Sequence, residues 1–230
     1  AGIAGAAIGM AAQFDRAMSS VQAATHASGA ELGQLRDAAV QAGRDTAYSA
    51  TEAAHAIEEL AKAGVETTDI LGGGLSGALS LAAAGEMDVS EAAEVAASTL
   101  TQFRLRGRDV GHVADLLAAA AGKAQGSVHD MSYALKQSGL VAAQMGMSVE
   151  DTIGVLAAFA SAGLLGSDAG TSLKTALLML ANPTEKAAGL MQELGISVYD
   201  AQGQFVGIVG LAGQLQARSE EHTSELQSLR

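Results

Sequence analysis

Cysteine and tryptophan are absent from this 230-residue sequence, proline occurs once, and aromatic residues make up only 3%. The lack of cysteine excludes disulfides, thiolate metal ligands and a cysteine nucleophile. Because aromatic side chains are so scarce, alanine and leucine have to form the core, which suits closely packed helices better than a β-sandwich. The sequence therefore predicts an all-α protein.

Basic residues are also few: 13 lysines and arginines stand against 25 acidic residues, which gives a formal charge of −12. A chain of this charge repels a nucleic acid backbone, so we expect no specific nucleic acid binding. The most hydrophobic window, Ile153 to Leu165, covers 13 residues, whereas a membrane-spanning helix needs about 20. We therefore expect no membrane span in this segment.

Glycine, by contrast, is abundant, with 28 residues, and it recurs where apolar helical patterns end. Ser49 and Glu52 form a capping-box pattern that predicts a helix ending before Gly64. Ser148 predicts the start of another helix, which ends at Gly163. Repeated starts and stops of this kind predict a multi-helix bundle built from helical hairpins.

Between residues 139 and 165, apolar or small residues recur mostly three or four apart, the period of a buried helix face. They are Gly139, Leu140, Ala143, Met147, Val149, Ile153, Leu156, Ala157, Ala160, Leu164 and Leu165. Methionines are predicted to fill gaps in the core rather than to line a cofactor pocket, namely Met145, Met147, Met179 and Met191.

Two short segments interrupt the helical pattern, and each has an alternative interpretation. Gly72–Gly74 predicts a helix break or a close approach of another helix; a phosphate-binding loop is disfavoured because no strand precedes it and no Lys-Ser/Thr follows. Residues 104–108 contain three arginines. We interpret them as a solvated connector, the alternative being contact with a phosphate or with a partner's carboxylate.

An internal similarity relates residues 81–107 to residues 141–166 at an offset of about 60 residues. Both segments pass from the end of an apolar helix through glycine and methionine into a second apolar helix, with one residue of slippage. The similarity predicts two helical hairpins packed face to face, because neither can bury its apolar stripe alone.

The C-terminal part contains the one β-like pattern, two short alternating runs around a turn, which adds a short β-hairpin near residues 196–206 to the prediction. Asn182 and Pro183 are predicted to begin the preceding helix, as its cap and first residue. Residues 218–230 resemble the translated sequence of a sequencing adapter, so we predict a non-native tail. The predicted divisions are N-terminal helices (1–46), a core helical domain (47–217) and that tail, within a longer parent protein.

No combination of residues predicts a catalytic site, a cofactor or a metal. The five histidines lie far apart and form no His-x-His or zinc-protease spacing. The closest acid–base pairs are His129 with Asp130 and Asp109 with His112. Both are interpreted as solvated capping groups at helix ends.

An ordered series of motifs covers residues 146–183: Gly-Met-Ser-x-Glu-Asp, an apolar helix, Ala-Gly-Leu-Leu-Gly-Ser-Asp-Ala-Gly-Thr-Ser-Leu-Lys, then Leu-Leu-x-Leu-Ala-Asn-Pro. It continues through Leu-x-x-x-Leu-Gly-Ile-x-Val to Asp-x-x-Gly at residues 190–203, and it extends back less sharply to about residue 47. This series resembles the core region of phage tail tape measure proteins.

The resemblance implies a structural virion protein that sets tail length and templates tail tube assembly, without catalytic activity. It implies a place in the lumen of the tail tube after assembly in the host cytoplasm. The implied partners are the tail tube protein, tail assembly chaperones and tail tip or baseplate proteins, together with self-association. The acidic balance is compatible with a channel shared with DNA, since like charges avoid non-specific binding.

A second class of function stays open, a helical membrane-interacting or pore-forming bacterial protein. Helices rich in alanine and glycine could rearrange and expose apolar faces to a bilayer. Leakage from liposomes would support this class, whereas inert behaviour would favour the tape measure interpretation. A tail tube gene upstream and tail tip genes downstream would decide for the latter.

Overall fold

The structure is a computed structural model that describes residues 2–124 and 126–228, with side chains for residues 8–124 and 126–220. Helices account for most of these residues, which confirms the all-α prediction. They are α1 (Gly2–Thr25), α2 (Gly29–Asp45), α3 (Ala50–Lys62), α4 (Thr67–Asp69), α5 (Leu75–Gly85), α6 (Val89–Phe103), α7 (Val110–Lys123), α8 (Val128–Gln144), α9 (Val149–Ser161), α10 (Gly166–Ala181), α11 (Glu185–Glu193) and α12 (Gly207–Ser228). A π-helical turn, Ile70–Gly74, joins α4 to α5, and a 3₁₀ turn, Gly107–Asp109, precedes α7.

The helices pack in two rows. In the first row, α1, α3, α6, α8 and α10 contact one another in that order. In the second row, α5, α7 and α9 follow one another, and α2 reaches this row through the turn Ile70–Gly74. The chain alternates between the rows, so the pairs α2–α3, α5–α6, α7–α8 and α9–α10 are helical hairpins stacked side by side.

Buried side chains from α1 to α10 form one continuous core in which alanine and leucine predominate. Leu35, Leu60, Leu117 and Leu156, from four different helices, are completely buried. Since α1 and α2 contribute to the same core as the helices after residue 46, they pack as part of the stack. The division between residues 1–46 and 47–217 stays a prediction.

Two glycines let neighbouring helices approach closely. At Gly77 in α5, an added Cβ would lie 2.7 Å from the backbone nitrogen of Gly111 in α7. At Gly170 in α10, it would overlap the carbonyl oxygen of Ala134 in α8. Each pair of helices is adjacent within a row, so a larger residue at either position would force the row apart.

The break predicted at Gly72–Gly74 is confirmed. Gly73 has a φ of 134° and a ψ of −12° inside the π-helical turn, a conformation open to glycine and strained for other residues. The close helix approach that was considered for this triplet instead occurs at Gly77. The turn redirects the chain between α4 and α5 while Ile70 stays buried in the core.

The predicted helix starts at Ser49 and Ser148 are confirmed. The Ser49 hydroxyl accepts a hydrogen bond from the amide of Glu52 at 3.2 Å, and the Ser148 hydroxyl accepts one from the amide of Asp151 at 3.0 Å. Gly163, just beyond the end of α9, has a φ of 87°. The glycine stop therefore works as predicted, because this left-handed conformation is easy for glycine.

The internal similarity between residues 81–107 and 141–166 reappears in the local backbone. Met87 and Met147 are both buried, and each follows a residue of positive φ, Glu86 and Gly146. The second helices of the two segments, α6 and α9, lie in different rows, and α6 packs on α8, most of which precedes residue 141. The similarity thus marks a helix–turn–helix motif used twice, and the spatial repeat of the stack is the hairpin.

The predicted buried face over residues 139–165 is correct for its central part and wrong at two positions. Ile153 and Leu156 are buried, whereas Leu140 is 54% exposed and Leu165 is 38% exposed. Met179, predicted to fill a core gap, is 67% exposed. It lies on α10 at the end of the first row, where no further helix of the row covers it.

The start of α11 differs from the prediction. Thr184 is the cap, since its hydroxyl accepts a hydrogen bond from the amide of Ala187 at 3.3 Å. Asn182 and Pro183 lie before the cap, so the predicted start was two residues too early. A threonine hydroxyl that satisfies a free amide of the first turn outweighs the preference of proline for the first helical position.

The β-hairpin predicted near residues 196–206 is reduced to one antiparallel bridge between Tyr199 and Phe205, and no strand forms over this stretch of described chain. The carboxylate of Asp200 closes the turn by accepting hydrogen bonds from the amides of Gln202 and Gln204, at 2.9 and 2.8 Å. A turn with so few paired residues is too short to form a ladder by itself.

Candidate interaction sites

The pair Asp109 and His112 does not form an acid–base pair. The Asp109 carboxylate accepts a hydrogen bond from the amide of Arg106 at 2.9 Å, which is the predicted capping role. His112 Nε2 instead lies 2.8 Å from Glu150 Oε1 and links α7 to α9. This hydrogen bond is the main reason that the pKa of Glu150 is lowered. The Asp109 carboxylate thus caps the turn before α7, and His112 joins α7 to α9.

The pair His129 and Asp130 lies at the start of α8. The Asp130 carboxylate accepts hydrogen bonds from the Ser127 amide at 2.9 Å and from its hydroxyl at 2.7 Å. These bonds, the backbone one first, lower the pKa of Asp130. The His129 ring packs on Tyr133 with 4.7 Å between ring centroids. Asp130 thus completes a capping box, as predicted.

Ion pairs on the surface join residues within a helix and between neighbouring helices. Lys62 Nζ lies 2.7 Å from Glu58 and 3.0 Å from Glu59 within α3, and Lys136 Nζ lies 2.8 Å from Glu94 between α8 and α6. Exposed pairs of this kind contribute little stability. Among the side chains described, those of residues 8–124 and 126–220, no three histidines, aspartates or glutamates converge as a metal site would require.

A concave site, here called the arginine pocket, lies where α6 ends and α7 begins. It has a volume of about 570 Å³ and is lined by residues 63–66, 69, 100–101 and 104–108. Arg104, Arg106 and Arg108 form one wall. The sequence shows the three arginines, but the opposite wall comes from residues about 40 positions earlier, which local patterns could not predict.

A second concave site, here called the α2–α5 groove, has a volume of about 750 Å³ and a mainly apolar lining. Tyr48, Leu71, Leu75 and Leu79 contribute to this lining. The groove lies where the second row is incomplete, because α2 contacts the turn before α5 instead of packing along α5. No pattern in the sequence predicted it, since the apolar residues involved are spaced like ordinary core positions.

Within the described part of the chain, no individual helix is both long enough and apolar enough to cross a membrane. One pair of segments reaches that length and apolar character when taken together, Thr67–Gly85 with Val89–Phe103, but the two are bent by 116° relative to each other.

A family model described as "Phage-related minor tail protein" matches residues 36–229, most of the chain. The chain belongs to this family. As a member, it is a structural component of a phage tail, and the resemblance found in the motif series is confirmed.

Relatives within the phage tail proteins carry more specific names. The chain is 40% identical over 224 residues to the tape measure protein of Pneumococcus phage Dp-1, which covers 97% of the chain and 19% of that protein. It is 33% identical over 193 residues to the probable tape measure protein of Escherichia phage P2, covering 84% of the chain and 24% of that protein. The chain therefore spans about a fifth to a quarter of these relatives. No solved structure matches it.

Proposed function

We propose that this chain is a segment of a tail tape measure protein, which sets tail length and templates assembly of the tail tube. The observation that carries the proposal is the 40% identity to the Dp-1 tape measure protein over 97% of the chain. The similarity to a probable tape measure protein from a phage of another host supports the same role.

The proposed location is the lumen of the tail tube, reached by assembly in the host cytoplasm. The proposed partners are the tail tube protein, tail assembly chaperones and tail tip or baseplate proteins, and copies of the chain associate with one another. The charge of −12 supports this location, because an acidic protein does not adhere to the DNA that shares the channel. The parent protein has no catalytic activity in this segment.

Within the parent protein, this segment acts as a folded module and the ruler proper lies elsewhere. A ruler needs a long rod whose length grows by about 1.5 Å per helical residue. The stacked hairpins reverse the chain direction at each turn, so the segment contributes little length for its residue count. Residues 47–217 form the core domain of the module, on which the helices of residues 1–46 pack, and residues 218–230 are a tail that does not belong to it.

A chimeric phage tests the proposed role. The matching segment of the Dp-1 tape measure gene is replaced by this chain, and tails are imaged by electron microscopy. We expect tails of parental length and infectious particles, because the segment is exchanged for a homologous one of nearly equal size. If no tails form although circular dichroism shows that the chain is folded, the proposed role in tail assembly is contradicted.

Two variants of the chimera provide controls. Leu135→Asp places a charge at a completely buried position in α8, so it should unfold the segment and abolish tail assembly. Deleting residues 81–141 removes α6, α7 and parts of α5 and α8, and it should also abolish assembly. Intact tails shortened by about 90 Å, the helical length of 61 residues, would show that the segment is part of the ruler.

A further inference from the structure

The three arginines of the arginine pocket have no acidic partner among the residues that the structure describes. Basic residues in α2, α3 and α8 lie within ion-pair distance of carboxylates, but Arg104, Arg106 and Arg108 do not. These three account for almost a quarter of the 13 lysines and arginines of the chain. This acidic protein thus has a cluster of three guanidinium groups that form no ion pair with the described carboxylates.

The backbone that carries these arginines is fixed by local contacts. Arg104 ends α6 in a left-handed conformation, with a φ of 54°. The following amide, of Leu105, donates a hydrogen bond to the carbonyl of Leu100 at 2.8 Å. The carboxylate of Asp109 holds the amide of Arg106. Because the loop is ordered in advance, a ligand does not have to order it on binding.

Gly107 joins this loop to the opposite wall. A Cβ at this position would lie 2.7 Å from the Cβ of Asp69 and would overlap the side chain of Val65. Only glycine therefore lets the 3₁₀ turn lie directly against residues 65–69. This contact sets Arg106 and Arg108, on either side of Gly107, at the rim of the pocket.

The rest of the pocket lining is partly apolar and partly negatively charged. Val65, Leu100 and Leu105 supply apolar surface, and Glu66 and Asp69 supply negative charge. The volume of about 570 Å³ is sufficient for a few side chains and far smaller than a groove for a whole helix. The site is thus a small cavity with separate positive, apolar and negative parts.

We propose that the arginine pocket binds a short acidic segment of a partner protein, with carboxylates on the arginines and one aliphatic side chain against Val65 and Leu105. Guanidinium groups pair with carboxylates through strong, directional hydrogen bonds. A nucleic acid is disfavoured because the three arginines line one small cavity, whereas a nucleic acid backbone is bound by basic residues that follow the strand. The proposal rests on the pocket and is independent of the role in tail length.

Titration of the full chain with a synthetic peptide, Glu-Glu-Leu-Glu-Glu, tests the proposal. Two-dimensional NMR of backbone amides and arginine Nε–H groups is suited to weak binding. We expect shifts confined to residues 63–69 and 100–108, and none with the peptide Gln-Gln-Leu-Gln-Gln. Binding should weaken as salt rises from 20 to 300 mM, since it depends on charge pairs.

Paired variants separate the pocket from general charge effects. Arg106→Gln with Arg108→Gln should lower the affinity for the acidic peptide at least tenfold, because each charged hydrogen bond is worth about that factor. Arg16→Gln with Arg44→Gln makes the same change of charge at exposed positions on α1 and α2 and should leave the affinity within twofold.

Three results would overturn the proposal. The first is equal affinity in both double variants. The second is tighter binding of a 12-base-pair DNA duplex than of the acidic peptide, with the same loss in Arg106→Gln/Arg108→Gln. The third is concentration-dependent dimerisation of the chain alone, by sedimentation, that these two substitutions abolish, because the occupant is then a second copy.

Discussion

Gly163 and Gly154 lie close together in the sequence, but only the former needs to be glycine. Gly163 has a φ of 87°, whereas Gly154 lies inside α9 with an ordinary helical backbone. An added Cβ would meet no atom within 4 Å at either position. The two residues therefore differ in backbone conformation alone.

We expect Gly163→Ala to lower the free energy of unfolding by about 1 kcal/mol, because alanine is strained in the left-handed region. Gly154→Ala should raise it by about 0.5–1 kcal/mol, because alanine favours a helix interior. Urea denaturation of both variants measures the difference. Equal shifts of the same sign would show that the glycine stop does not fix the end of α9.

Gln102 in α6 has a side-chain amide oxygen in an energetically unfavourable environment. Its Oε1 atom is buried and has no hydrogen-bond partner among the residues that the structure describes. The atom lies against Gly139 of α8, so a helix contact covers it. A buried acceptor without a partner costs about 1–3 kcal/mol relative to one in water.

Gln102→Met keeps the length of the side chain and removes the buried acceptor. We expect it to raise the free energy of unfolding by about 1 kcal/mol, since part of the gain is lost to imperfect packing. Gln102→Glu is the matched control, and it should destabilise the protein because a charge is then buried. A destabilised methionine variant would show that the amide is satisfied in solution.

At the scale of single helices, acidic residues in the first turn couple stability to pH. Ser49 and Glu52 cap α3, and their hydroxyl–carboxylate hydrogen bond is the largest cause of the lowered pKa of Glu52. A carboxyl group whose pKa is lower in the folded state adds stability above its unfolded value, near 4.5. That contribution is lost as the pH falls through the lowered pKa.

We expect the melting temperature to fall as the pH is lowered from 5 to 2.5, and to fall less steeply in Glu52→Gln. At pH 7 this variant should be less stable by under about 1 kcal/mol, because the group is exposed and screened. Thermal melts by circular dichroism at several pH values measure both effects. If the melting temperatures of the variant and the parent chain fall in parallel with pH, the Glu52 carboxylate is not a cause of the pH dependence.

The caps and stops were the part of the fold that the sequence predicted best, because each depends on residues three or four apart. Ser49, Ser148 and Gly163 act where they were predicted to act. The exposure of Leu140 and Met179 could not be predicted, because helical periodicity identifies an apolar face but not the neighbours that cover it. For the same reason the arginine pocket and the α2–α5 groove, which join distant segments, were missed.

At the scale of the whole molecule, the stack has a linear order, because each helix of a row contacts mainly the next helix of that row and its hairpin partner. In small-angle X-ray scattering we expect a radius of gyration above the roughly 17 Å of a compact chain of this length. A value near 100 Å, as for a single helical rod of about 345 Å, would contradict the stack.

The predicted tail gives a second test at this scale. Deleting residues 218–230 should leave the melting temperature within about 1 °C, because the α12 residues that pack inward, Ile208 and Leu211, both precede the deleted segment. Arg218 lies next to Gly195, beyond α11, so deletion of residues 219–230 is the matched variant that keeps this contact. A loss of several degrees in both would show that the tail packs as part of the protein.

Because each hairpin of the stack contacts mainly its neighbours, few contacts tie the first hairpin to the last. A force that pulls the two ends apart is therefore carried by one hairpin interface after another. Each interface that yields frees about 35 residues, or roughly 120 Å of extended chain. The molecule would therefore lengthen in steps, as a linear array of repeats does. When fully extended, its 230 residues would span roughly 760 Å.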